Sequence, residues 1–125
     1  MKEITEKLKE LEQKIAAEKG SFLLFALFLR EDAPDRWDLL VAAPWIPKNK
    51  NTALKYFSDK LIRTLSQKEL LKLSRIAIID PDEPALAAIQ QAMHVEHSIA
   101  EIKDSNFFGM QIKHAYIITS RRQTE

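Results

Sequence analysis

The sequence predicts an α+β domain, a mixed sheet of about five strands flanked by three to four helices. Three observations carry this. Phe22 to Leu29 is eight apolar residues without a break, and Trp37 to Ala43 is nearly as apolar. Strands that are apolar on both faces must be covered on both faces, which needs helices. Stretches of helical periodicity are interleaved with these and with other short strand-like runs.

Lys2 to Lys19 is the first of them, an amphipathic helix with Ile4, Leu8, Leu11 and Ile15 on one stripe and Gly20 as a stop signal. Two strands follow, joined by the charged loop Arg30 to Arg36. Pro44-Trp45-Ile46-Pro47 forbids a continuing central strand. A helix then runs to about Leu65, capped by Asn51 or Thr52, with Leu54, Phe57, Leu61 and Leu65 inward. Ser66 and Glu69 form a capping box that starts a short helix, Gln67 to Leu73. Arg75 to Ile79 reads as a buried strand. Asp80-Pro81-Asp82-Glu83-Pro84 opens a helix reaching Met93, with Leu86, Ile89 and Met93 inward. The weaker strand Glu96 to Lys103 and the stronger strand Lys113 to Thr119 flank a turn, Asp104 to Gly109. The predicted sheet is two antiparallel hairpins plus one β-α-β unit, Ile76 to Ile102, with parallel strands.

At 125 residues this is one domain, 1–125, with room for a substantial core. There is no cysteine, which excludes disulfides, thiolate metal sites and a cysteine nucleophile. With only Gly20 and Gly109, no glycine-rich phosphate loop can be written. No apolar run approaches the roughly 20 residues that span a bilayer, and Met1 opens on alternating Lys and Glu rather than an apolar signal. The expectation is a cytoplasmic protein with no membrane contact.

Charge is strongly polarised along the chain. Lys48 to Arg75 holds eight bases and two acids, net +6; Ile76 to Gly109 holds one lysine and six acids, net −5. Lys55, Lys60 and Arg63 lie off the apolar stripe of their helix. With Trp45 alongside, they form a candidate binding face for an acidic protein or nucleic acid. The alternative for a charge run is a solvated face.

Catalytic patterns are sparse. Asp80 followed by Glu101-Ile102-Lys103 resembles the aspartate and E-x-K pattern of metal-dependent nucleases. That likeness implies two carboxylates on Mg²⁺ and a lysine that helps activate water. The helix between Asp80 and Glu101 departs from that core, which joins the two strands directly. Asp35-Arg36-Trp37-Asp38-Leu39-Leu40-Val41 resembles the second-strand motif of nucleotidyltransferases, implying Asp38 as a Mg²⁺ ligand. Here Arg36 stands in place of the first aspartate, and Gly20-Ser21 precedes the first strand instead of following it. Asp38 is otherwise a strand-edge aspartate held by backbone or arginine. His97 and His114 fall on the order of 15 Å apart if the last two strands pair about Phe108, too far to share an ion. Phe107, Phe108 and Trp45 are core fillers or partner anchors.

The function expected is therefore a noncatalytic protein-interaction or oligomerisation domain, without cofactor, homodimeric, with the helical face of residues 48–75 as its contact. The alternative is a metal-dependent phosphodiester-cleaving or nucleotidyl-transferring enzyme using Asp38, Asp80, Glu101 and Lys103 with Mg²⁺. Convergence of those four residues in one cleft distinguishes the two.

Overall fold

A computed structural model describes residues 1–123. The elements are α1 (Lys2–Lys19), β1 (Leu24–Arg30), β2 (Trp37–Ala42), α2 (Lys50–Thr64), α3 (Gln67–Leu70), β3 (Leu73–Ile78), α4 (Pro84–Ala92), β4 (Ala100–Phe107) and β5 (Met110–Ser120). They form an α+β fold around a mixed five-stranded sheet of order β3-β2-β1-β5-β4. β1 lies at the centre, antiparallel to β2 and β5, and β4 is antiparallel to β5. β2 and β3 are the parallel pair.

That pair corrects the expected topology. The β-α-β unit is β2–α2–α3–β3, not residues 76–102. β4 runs with β1 and β3 runs against it, so β3 and β4 are antiparallel to each other and occupy opposite edges. Parallel strands need a long crossover, and the segment between Ala42 and Leu73 supplies it. A strand–helix–strand pattern tells that a crossover exists, not which strands become neighbours. As an edge strand, β3 is only half-buried, not buried as its composition suggested.

β1 explains the layering. Phe25, Ala26, Leu27 and Phe28 are all 0% exposed, though successive side chains point to opposite faces. On one face Phe25 and Leu27 join Leu8 and Ile15 of α1, Phe57 and Leu61 of α2, and Leu39 and Val41 of β2. On the other, Ala26 and Phe28 meet Leu86 and Ile89 of α4 and Ile112, Ala115 and Ile117 of β5. The nine residues of α4 are supplemented by the β4–β5 hairpin, whose Phe107 and Phe108 rings lie 5.5 and 6.4 Å from that of Phe28. Its turn is shorter than expected. Asp104 to Phe107 continue β4, and only Phe108 and Gly109 turn, both with positive φ (55° and 72°), as a tight two-residue hairpin loop requires.

The helix ends follow their capping residues. Asn49, two residues before the expected cap, accepts the Thr52 N–H of α2. Ser66 and Glu69 make the predicted capping box. Lys7 Nζ reaches Glu69 Oε1 at 2.8 Å and ties α3 to α1.

Phe25→Ala should destabilise the fold by about 3–5 kcal/mol, the usual cost of a buried phenylalanine cavity; chemical denaturation measures it. Glu69 has its carboxyl held below the ordinary range, first by the Lys7 hydrogen bond and then by the Ser66 backbone N–H. A lowered folded pKa stabilises above the unfolded value, about 4.3, and that contribution is lost as pH falls through the lowered value. Denaturation of wild type and Glu69→Gln across pH should show a gap that is full at neutral pH and closes in acid.

Candidate functional site

The four candidate catalytic residues are not brought together. Asp38 is the second residue of β2, is 2% exposed, and shares the α4 face with its cross-strand neighbour Phe28. Arg30 Nε and Arg75 Nε each lie 3.1 Å from its Oδ2. Neither carboxylate oxygen receives an aligned hydrogen bond, so the group is held by charge rather than by directed donors. Asp80 follows β3 in an exposed loop and accepts the Asp82 N–H at 2.8 Å. Glu101 and Lys103 lie on β4, three strands from β2, or about 14 Å at ordinary strand spacing. Asp80 is five positions along β3 from Arg75, the register partner of Asp38, a further ~16 Å. Among the described residues no group of three His, Cys, Asp or Glu side chains could hold a metal ion.

The histidines have separate acidic partners. His114 stacks against Tyr116 and Trp37 at 4.7 and 5.4 Å and contacts Glu101. Burial, then the Glu101 charge, holds the Tyr116 hydroxyl above its usual pKa. His97 Nδ1 lies 2.6 Å from Oε1 of Glu12, which is 0% exposed. Thr119 Oγ1 donates to Glu12 Oε2 at 2.8 Å and accepts the His97 N–H at 3.2 Å. Glu12 escaped the sequence reading because a glutamate beside Leu11 looks like the edge of a solvated face.

The basic residues of α2 divide between its two sides. Lys55 pairs with Asp59 at 3.3 Å. Lys60 points the other way, 3.8 Å from Glu18 of α1 and 5.5 Å from the Tyr56 ring centroid. Arg63 lines the crevice between α1 and α2 with Lys7 and Lys14. Trp45 is no exposed anchor either: its indole N–H donates to the Gly20 carbonyl at 2.9 Å, and its ring packs on Phe22, Tyr56 and Phe57. Lys55 therefore points away from the α1 side of the helix that Lys60 and Arg63 face.

One surface gathers unexplained properties, the outer edge of β3. It carries no neighbouring strand on that side. The Ile79 N–H bonds the Val41 carbonyl at 2.8 Å. By strand alternation Ala77 and Arg75 also turn their backbone groups towards β2, and those of Ile76 and Ile78 point outward. A groove between α2 and this edge is lined mainly by Leu54, Ile62, Leu70, Leu73 and Ile76, with Arg75 at its rim. Ile62 is 62% exposed, and Leu71, just before β3, is 70% exposed. A close reading of the sequence holds one signal for this: Ile62 is apolar yet off the stripe of its helix. Lys68 and Lys72 lie exposed before β3, and Asp80, Asp82 and Glu83 lie exposed after it.

The α1–α2 side yields a stability prediction. The Tyr56 hydroxyl is buried without a hydrogen-bond partner, and its pKa is raised by burial and then by Glu18. Tyr56→Phe removes an unsatisfied polar group and should leave stability unchanged or raise it by up to ~1 kcal/mol, read by the denaturation midpoint. Among the described residues, no helix is long and apolar enough to cross a membrane. Comparison with known proteins found no family model, no curated protein and no solved structure that matches this chain.

Proposed function

We propose that the chain is a noncatalytic protein-interaction and oligomerisation domain that docks through the outer edge of β3 and the adjoining side of α2. The observation that carries this is the coincidence of an open strand edge with a mainly apolar groove that holds the exposed Ile62, and of the exposed Leu71 two residues before that strand. Outward N–H and C=O groups supply directional hydrogen bonds to an added strand. Burying a leucine or isoleucine side chain contributes about 1.5–3 kcal/mol, and a few such residues dominate interface energies. The surroundings are basic at one end of the strand and acidic at the other, which favours an orientation as well as a partner.

The alternative, phosphodiester chemistry with Mg²⁺ at Asp38, Asp80, Glu101 and Lys103, lacks its geometric premise. The carboxylates lie on different strands or beyond them, and Asp38 is occupied by two arginines. Binding of nucleic acid along α2 is likewise less favoured, because Lys55 and Lys60 are ion-paired on opposite sides of the helix.

Sedimentation velocity through the micromolar range tests the proposal. The wild-type chain should show concentration-dependent species above 14.4 kDa. Ile62→Ser combined with Leu71→Ser should sediment as a monomer while keeping its denaturation midpoint, because both side chains are already exposed. A wild-type chain that remains monomeric throughout would count against oligomerisation.

A further inference from the structure

We infer that the occupant of the β3 edge is a second copy of this chain, added antiparallel about a two-fold axis at Ile76. The inference rests on the interaction surface proposed above and specifies its partner and register.

The charge pattern argues for it. The sign change of the sequence falls inside β3, between Arg75 and the residues that follow. Lys68 and Lys72 precede the strand; Asp80, Asp82 and Glu83 follow it. No carboxylate among the described residues pairs with Lys68 or Lys72. Within one chain Lys72 and Asp80 are eight positions apart along an extended strand, about 25 Å, and cannot meet. An antiparallel two-fold lays the basic end of each strand against the acidic end of the other. A parallel addition would set lysine beside lysine.

Register follows from the backbone. The outward-facing residues must oppose one another to exchange hydrogen bonds. An axis at Ile76 sets Ile76 against its own copy and Arg75 against Ala77; before Arg75 the strand shifts register and the Lys72 carbonyl accepts the Trp37 N–H, so Lys72 meets the partner's Asp80 through its side chain, beyond the paired backbone. An axis at Arg75 would oppose two arginines, which is destabilising. With the axis normal to the sheet, both α2 helices stand on one face, and Leu54, Ile62 and Leu71 of each copy close over the seam. The product is a closed, isologous pair with a continuous ten-stranded sheet, the symmetry commonest among soluble oligomers.

The other edge is unsuited to this role. β4 carries Glu101, Lys103 and Asp104, and Asp104 bends the strand with φ 51°. Charges and bends are how exposed edges resist pairing. On β3 the one charge is Arg75, which sits at the rim of the groove with its guanidinium 3.1 Å from Asp38.

Because the chain has no cysteine, one introduced thiol reports on self-pairing. Directly opposed residues of a hydrogen-bonded pair lie ~5.5 Å apart at Cα, within disulfide range. Under mild oxidation Ile76→Cys should yield a covalent dimer much faster than Ser105→Cys on β4. Lys72→Asp and Asp80→Lys leave the core untouched, and by symmetry each disrupts two contacts. Each should weaken the dimer about tenfold or more in sedimentation equilibrium, and the double reversal should recover most of the loss. Equal cross-linking of the two cysteine variants, or additive losses in the double reversal, would overturn this register. The interaction reading would still stand if Ile62→Ser with Leu71→Ser abolished association. A wild-type chain that stays monomeric would overturn the second copy as occupant. In that case, binding of a labelled alternating Glu-Val peptide would keep the edge as an interaction site, and no binding would remove that reading as well.

Discussion

Burial of β1 on both faces constrains the rest of the structure. A strand with no solvent-facing side must have a sheet neighbour on each edge and a covering layer above and below. β2 and β5 supply the neighbours; α1 and α2 cover one face; α4 and the tip of the β4–β5 hairpin cover the other. The covers are unequal. The α1–α2 face has two long helices, and the α4 face has one short helix. The shortfall is why the hairpin must place Phe107 and Phe108 against Phe28, and why the turn accepts a phenylalanine with positive φ beside Gly109. Aromatics that looked like partner anchors in a polar turn are the missing part of a core.

Two buried carboxylates mark where the covers end. Asp38 lies on the α4 face between Arg30 and Arg75; Glu12 lies under α1 against His97 and Thr119. Each joins elements distant in sequence, which apolar packing alone does not register uniquely. Glu12 binds α1 to the segment before β4 and to β5. Asp38 binds the start of β2 to the end of β1 and to β3. Burying a charge is costly even when paired. Removing Arg30 or Arg75 would leave Asp38 with a single partner at 2% exposure, so the cluster constrains how β1, β2 and β3 meet.

Most of the fold was legible because local rules decide it. The Ile4–Leu8–Leu11–Ile15 stripe, the Ser66–Glu69 capping box, Pro84 at the start of α4 and the unbroken run Phe22–Leu29 each have a local cause. Strand order was not legible, because β3 is compatible with either β2 or β4 as neighbour, and only packing of α2 over β2 and β3 resolves it. The candidate site was the least legible part. Lys55, Lys60, Arg63 and Trp45 were read as one face, but their direction depends on where α1 lies, and α1 draws Lys60 and Arg63 to one side of α2. Exposure of Ile62 and Leu71 depends on β3 being an edge, which in turn depends on strand order.

An open five-stranded sheet has two edges, and this one treats them differently. β4 is bent, charged on successive residues and paired only with β5. β3 is short but keeps outward backbone groups beside a mainly apolar groove, with Arg75 at its rim paired to Asp38. The ion pair fixes β3 against β2. An edge left open beside exposed apolar side chains, with opposite charges at its two ends, is the least protected part of this sheet.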